Sequence, residues 1–105
     1  MRYEVPMQTV YGEKSGHPLV LEQSGNEIRL TVDGGFAGRD VDEELPKSAF
    51  LALLSGGAQR NNDLLGLTLQ TDGGPTVTGL IGVGSGNIGF IVSRDDLVAA
   101  IDGLE

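Results

Sequence analysis

The sequence predicts an α+β domain with about six antiparallel strands in one sheet and two short helices. Three observations lead there. Apolar and polar residues alternate at period two along much of the chain, the mark of strands with one buried face. Seventeen glycines fall mostly between these runs, where a chain reversal needs a positive φ or a tight turn. Two stretches, 45–54 and 94–104, break the alternation with Ala and Leu at helical spacing.

Tyr3, Val5, Met7, Thr9 and Tyr11 alternate with Glu4, Gln8 and Val10, which makes a first strand. Pro6 removes a ladder donor and so predicts an edge strand. Residues 12–18 read as a polar loop. Leu19-Val20-Leu21 opens a second strand, and the short Ser24-Gly25-Asn26 connection suits a hairpin. Ile28, Leu30 and Val32 then alternate along a third strand. Residues 33–44 read as an irregular surface loop, with Gly34, Gly35 and Gly38 followed by Asp40-Val41-Asp42-Glu43-Glu44.

From Leu45 to Leu54 the sequence reads as a helix. Pro46 suits its first turn, Ser55-Gly56-Gly57 stops it, and Phe50, Leu53 and Leu54 share one face. Residues 58–63 read as a polar linker. Leu65, Leu67 and Leu69 mark a strand, and Asp72-Gly73-Gly74-Pro75 a reversal. Thr76–Val83 and Ile88–Val92 flank a second reversal at Gly84-Ser85-Gly86-Asn87. Leu80-Ile81 and Phe90-Ile91-Val92 are apolar on both faces, which predicts central strands. Ser93 can cap a last helix whose stripe is Leu97, Ala100, Ile101 and Leu104.

The two halves echo one another. The turn at Ser24-Gly25-Asn26 resembles that at Ser85-Gly86-Asn87, and both predicted helices run into glycine. A βββα unit used twice, over 3–56 and 64–104 with loop 33–46 inserted in the first, would produce this. Chance likeness of short glycine turns is the alternative. Both readings give one domain over 1–105, in which a shared sheet buries one face under both helices. The other face is left to water or to a second copy.

Composition narrows the function. Seven Lys and Arg stand against fifteen Asp and Glu, a net charge of −8. Polyanion binding needs basic faces for counterion release, so nucleic acid is a poor partner. No apolar run approaches the ~18 residues of a spanning helix. The start, Met1-Arg2-Tyr3-Glu4-Val5-Pro6, lacks the apolar core of a signal peptide, and a cytoplasmic setting is expected. Without cysteine there is no thiolate nucleophile and no thiolate metal site.

No residue set points to catalysis, and no cofactor or metal is expected. Gly84-Ser85-Gly86-Asn87-Ile88-Gly89 matches G-x-G-x-x-G, but strand-forming Phe90-Ile91-Val92 follows it where a phosphate-binding helix would have to begin. The motif reads as a hairpin turn. His17, the single histidine, lies in the polar loop without a carboxylate nearby in sequence, and reads as solvated. No serine sits in a nucleophile elbow. Tyr3, Tyr11 and Phe36 with Arg2 and Arg29 could stack single-stranded bases, though packing explains them equally well.

The 33–46 loop is the best candidate for partner binding, through Phe36, Arg39, Asp40, Asp42, Glu43 and Glu44. Phe36 between glycines either protrudes as a docking knob or folds back on the sheet. The carboxylates lack calcium-loop spacing and read as a solvated acidic patch or a partner surface. The expectation is a non-catalytic protein-interaction module, possible as a homodimer, acting as an acidic modulator or inhibitor of a larger host protein. Single-strand binding or DNA mimicry is the alternative.

The meander-plus-helix unit used twice resembles the whirly-like duplicated sheet-plus-helix domains, which implies single-stranded nucleic acid binding. The composition, rich in Gly, Val, Asp and Arg and poor in Lys and Cys, resembles small accessory proteins of actinobacteria and their phages, which implies a host-directed role.

Overall fold

A computed structural model describes residues 2–55, 60–63, 67–71, 74–84 and 86–104. The fold is α+β, as the alternation predicts. Its order is β1 (Arg2–Thr9), β2 (Lys14–Ser24), β3 (Glu27–Val32), α1 (Gly34–Ala37), β4 (Val41–Pro46), α2 (Lys47–Ser55), β5 (Arg60–Asp63), β6 (Leu67–Thr71), β7 (Thr76–Val83), β8 (Gly86–Ser93) and α3 (Arg94–Gly103). All eight strands join one antiparallel sheet in the order β4-β3-β2-β1-β8-β7-β6-β5.

Two strands go beyond the expected six. Residues 41–46 are not a loop: Val41 to Pro46 pairs with all of β3, from Val32↔Val41 to Glu27↔Pro46. Val41 and Leu45 are buried and Asp42 and Glu44 exposed, so the period is two after all. The predicted helix therefore loses Leu45 and Pro46 to this strand and starts at Lys47. Part of the polar linker, Arg60–Asp63, pairs with β6 as β5. The predicted Leu65 start of β6, the reversal at 72–73 and the helix stop at 56–57 lie outside the described residues.

The chain thus runs four strands and a closing helix twice, with the single turn α1 inserted between β3 and β4 of the first half only. The closing helices, α2 and α3, follow the fourth strand of their half. The two echoing turns do not correspond in this way. Gly25 joins the second and third strands of its half, whereas Gly84 joins the third and fourth. Both are reversals with positive φ, 63° and 52°.

One core fills the inner face, built from both halves: Leu19, Leu21, Ile28 and Leu30 with Leu67, Leu69, Ile81 and Phe90. Phe50, Leu53 and Leu54 of α2 and Leu97, Ala100, Ile101 and Leu104 of α3 close it, as their spacing predicts. Ser93 caps α3 by accepting from the Asp96 N–H at 3.3 Å. The Arg94 guanidinium donates to the Leu54 carbonyl and so ties α3 to the end of α2.

Pro6 behaves unexpectedly. β1 is interior in the strand order, not an edge. Yet its pairing with β8 is confined to Gln8↔Ile91 and Thr9↔Phe90. Pro6 cannot donate, and the register of β1 against β2 shifts between Pro6 and Gln8. The two half-sheets therefore meet at a short seam and part beyond it. On the inner side of this seam the Phe90 ring covers Gly79, its cross-strand partner, where a Cβ would collide with it.

Candidate functional site

Alternation puts the solvent face of β1–β4 at the even positions of β1 and β2, and register carries it onward. Arg2, Glu22, Arg29 and Glu44 form one cross-strand row, and Glu4, Val20, Thr31 and Asp42 the next. Glu27 lies beside them, opposite Pro46. The Arg29 guanidinium donates to both oxygens of Asp42, Nε to Oδ1 at 2.7 Å and Nη2 to Oδ2 at 2.5 Å. This bidentate fork is the strong form of a carboxylate pair and fixes both side chains on the face. It holds the Asp42 carboxyl below its usual range, through the hydrogen bond first. It also raises Arg29 further from neutrality. Arg2 lies 3.7 Å from Glu4.

Hydrogen bonding to the nearby Glu44 side chain first, then partial desolvation and the charge of Glu44, raise the Glu27 carboxyl above its ordinary value of 4.5. Ser24 Oγ donates to Glu44 at 3.5 Å, a weak contact. The result is a solvent-facing sheet surface with a surplus of carboxylates, of which Asp42 is fixed by Arg29.

The six residues expected to bind a partner do not form one patch. Asp42 and Glu44 lie on the outer face. Glu43 points to the other side, half-buried between Val41 and Leu45. An inward charge on an edge strand discourages pairing with a further strand. Asp40 braces α1 by accepting from the Gly34 N–H at 2.8 Å, and Arg39 is exposed beside it. Phe36 does not protrude. It packs on the core from α1, with its ring edge-on to Phe90 at 6.1 Å. Asp33 caps this single turn and Gly38 ends it at φ 79°.

His17 also differs from expectation. It lies on β2, half-buried, with Nδ1 3.8 Å from Asp33 Oδ2 and its ring 6.2 Å from Phe36. A Cβ on Gly35 would stand 2.9 Å from its Cε1, so glycine there lets α1 settle onto the imidazole. The residues that build this niche, at 17, 33 and 35–36, are far apart in the sequence. That distance is why a lone histidine reads as solvated.

Beyond the seam, where β1 and β8 part, lies a cleft of about 680 Å³. Glu4, Pro6 and Gln8 of β1 form one wall, and Ile91, Ser93 and Asp96 the other. Lys14, His17 and Pro18 of β2 also reach it. No three of its acids and imidazole converge, and no group of three His, Asp or Glu fit to hold a metal occurs among the described residues. The G-x-G-x-x-G segment is the β7–β8 hairpin, with Gly82↔Asn87 and Val83↔Gly86 paired. No helix among the described residues is long and apolar enough to cross a membrane.

Sequence reading missed Glu22 and Glu27, and offered Arg29 only as part of a base-stacking platform. The signal was present: alternation of Ile28, Leu30 and Val32 inward puts Glu27, Arg29 and Thr31 outward on the same strand. No protein-family model matches the chain, and no curated protein and no solved structure matches it.

Proposed function

We propose that this chain is a non-catalytic interaction module that receives a basic protein on the solvent face of β2–β4, as an acidic modulator of that larger protein. One observation carries this reading: the Arg29–Asp42 fork, which holds Asp42 in place among the carboxylates of this sheet face. Ordered acids on a rigid element reach a partner with less entropy to lose than acids on a loop. Complementary charge also steers the encounter. A cytoplasmic setting fits a chain without cysteine. The resemblance to whirly-like domains expected from the sequence would imply a nucleic-acid role, but a net charge of −8 opposes direct binding of a strand. Mimicry of DNA is the version of that role the carboxylate face supports.

The test is affinity capture with wild type and with the triple variant Glu22→Lys, Asp42→Lys, Glu44→Lys. The expected result is salt-sensitive capture of a basic protein by wild type and its loss in the variant. Competition by duplex DNA for that protein would identify mimicry. Capture indifferent to the charge reversal, or retardation of single-stranded DNA by the chain itself in a low-salt gel, would contradict the proposal.

A further inference from the structure

β8 leaves the sheet early. It ends at Ser93 and turns into α3, where the Arg94 N–H donates to the Pro75 carbonyl on the β7 side. Its ladder with β1 stops at Gln8↔Ile91. The next rung would set Pro6 against Ser93, and Pro6 has no N–H to give it. Residues 2–6 of β1 therefore have β2 on one side and no strand among the described residues on the other.

Parity shows which backbone groups this leaves open. Opposed residues of an antiparallel pair alternate between those that exchange N–H···O bonds and those that do not. Pro6 lies opposite Pro18. Two prolines have no N–H to exchange, so theirs is a non-bonded pair. Tyr3 and Val5 are then the residues that bond β2, across from Leu21 and Leu19. The N–H and C=O of Glu4 and the C=O of Pro6 turn the other way, into the cleft that both residues line.

We infer that this cleft takes an extended peptide segment, as a strand added to β1 along the track that β8 abandons. Open backbone groups at every second residue of one wall are the complement of a strand. From Glu4 to Gln8 that wall runs about 13 Å, the length of about five extended residues. The cleft is separate from the β2–β4 carboxylate face and stands whether or not that face takes a partner.

Register and charge select the sequence of the segment. The residue opposite Glu4 exchanges backbone bonds with it and points its side chain to the same outer side. Glu4 and Asp96 line that side, and a Lys suits the position. Arg2 meets Glu4 only at 3.7 Å, with both side chains mostly exposed. Lys14 stands at the seam end, opposite Gln8, so the cation belongs at the Glu4 end. A hydroxyl suits the place opposite Pro6, near Ser93. The intervening side chains turn inward, where Met7 lines the cleft, and are apolar. A run of lysines would turn ammonium groups onto Met7 and does not fit.

The probe is the capped peptide acetyl-Val-Thr-Val-Lys-Val-amide, whose Thr falls opposite Pro6 and whose Lys falls opposite Glu4. Chemical-shift mapping and amide hydrogen exchange of the labelled full chain read its binding. Concentrations up to about 5 mM are needed, because few bonds offset the ordering of the peptide. In the free chain the Glu4 N–H should exchange faster than those of Tyr3 and Val5, which β2 holds. Saturable shifts are expected at Glu4, Ser93 and Asp96. At a peptide concentration ten times Kd the Glu4 N–H should exchange about 11-fold more slowly, since about one chain in eleven is then free. N-methylation of the peptide's Thr and Lys removes the donors to β1, keeps the charge and should abolish binding. Glu4→Lys, at an exposed site, should weaken binding at least ~10-fold. Binding indifferent to N-methylation, or a Glu4 N–H that the peptide does not slow, would overturn the inference. So would equal binding of the peptide with Glu in place of Lys, or no shift in the cleft at the highest concentration.

Discussion

β2–β4 offers solvent Glu22, Glu27, Arg29, Asp42 and Glu44, whereas β6–β8 offers Thr68, Thr78, Leu80, Gly89 and Ile91. Beneath these opposite faces the two half-sheets are alike. Leu19, Leu21, Ile28 and Leu30 bury one side of the first, and Leu69, Val77, Ile81 and Phe90 one side of the second, all without exposure. The inner faces are set by one shared core, which any sheet covered by two helices must fill. The outer faces carry no such constraint, and they differ in charge.

The comparison can be broken from inside. Phe90→Ala empties a fully buried point at the seam, where the ring covers Gly79 and meets Phe36. A loss of about 3–5 kcal/mol in urea unfolding is expected. Leu30→Ala, in the other half, should cost about 2–5 kcal/mol. Both variants should unfold in one transition, because one core serves both halves. Two separated transitions would show that the half-sheets are independent. Gly79→Ala is the next smaller effect. Its methyl has no room beside Phe90, and about 1–3 kcal/mol should be lost as the ring shifts.

Outer-face changes sharpen the comparison with smaller effects. Arg29→Ala removes the cation between Glu22, Asp42 and Glu44. It should lower stability slightly at low salt and less at high salt, since exposed charge pairs contribute little and are screened. Thr78→Ala, on the uncharged half, should show no salt dependence of its own.

The smallest effect is in the pH profile, and the two carboxyls work in opposite directions. Asp42 is lowered in the folded chain, so it stabilises above its ordinary value of 3.8 and loses this as pH falls through the folded value. Glu27 is raised, so its bond with Glu44 stabilises below 4.5 and is lost as pH rises through the folded value. Glu44→Gln should therefore raise stability at neutral pH relative to wild type. Asp42→Asn should lower it there, flatten the acid limb and converge on wild type once Asp42 is protonated. Urea midpoints across pH 3 to 7 read both signs, on the order of a single carboxyl titration each.

How far these faces were legible in the sequence follows from local patterns. The alternations of 28–32 and 76–83 and the capped helix at 93 placed strands and helix nearly to the residue. β4 was hidden because Glu43 takes an inward position between Val41 and Leu45, so that its acids read as a loop. β5, Arg-Asn-Asn-Asp, has no apolar residue to alternate and is a strand only through its partner β6. Pro6 signalled a missing donor correctly, but the sequence could not show that the gap would open inside the sheet. The apolar character of Leu80 and Ile91 on both sides was visible, and it marked the face that tertiary structure leaves uncovered. The His17–Phe36–Phe90 contacts join three distant segments, which no local pattern reports.

The division of the outer surface is tested most directly by amide chemical-shift mapping of the labelled chain while oligolysine is added. The expected result is saturable, salt-sensitive shifts on β2–β4, centred on Thr31, Asp42 and Glu44, with β6–β8 unmoved. Shifts centred on Thr78, Leu80 and Ile91, or spread evenly over both half-sheets, would contradict it.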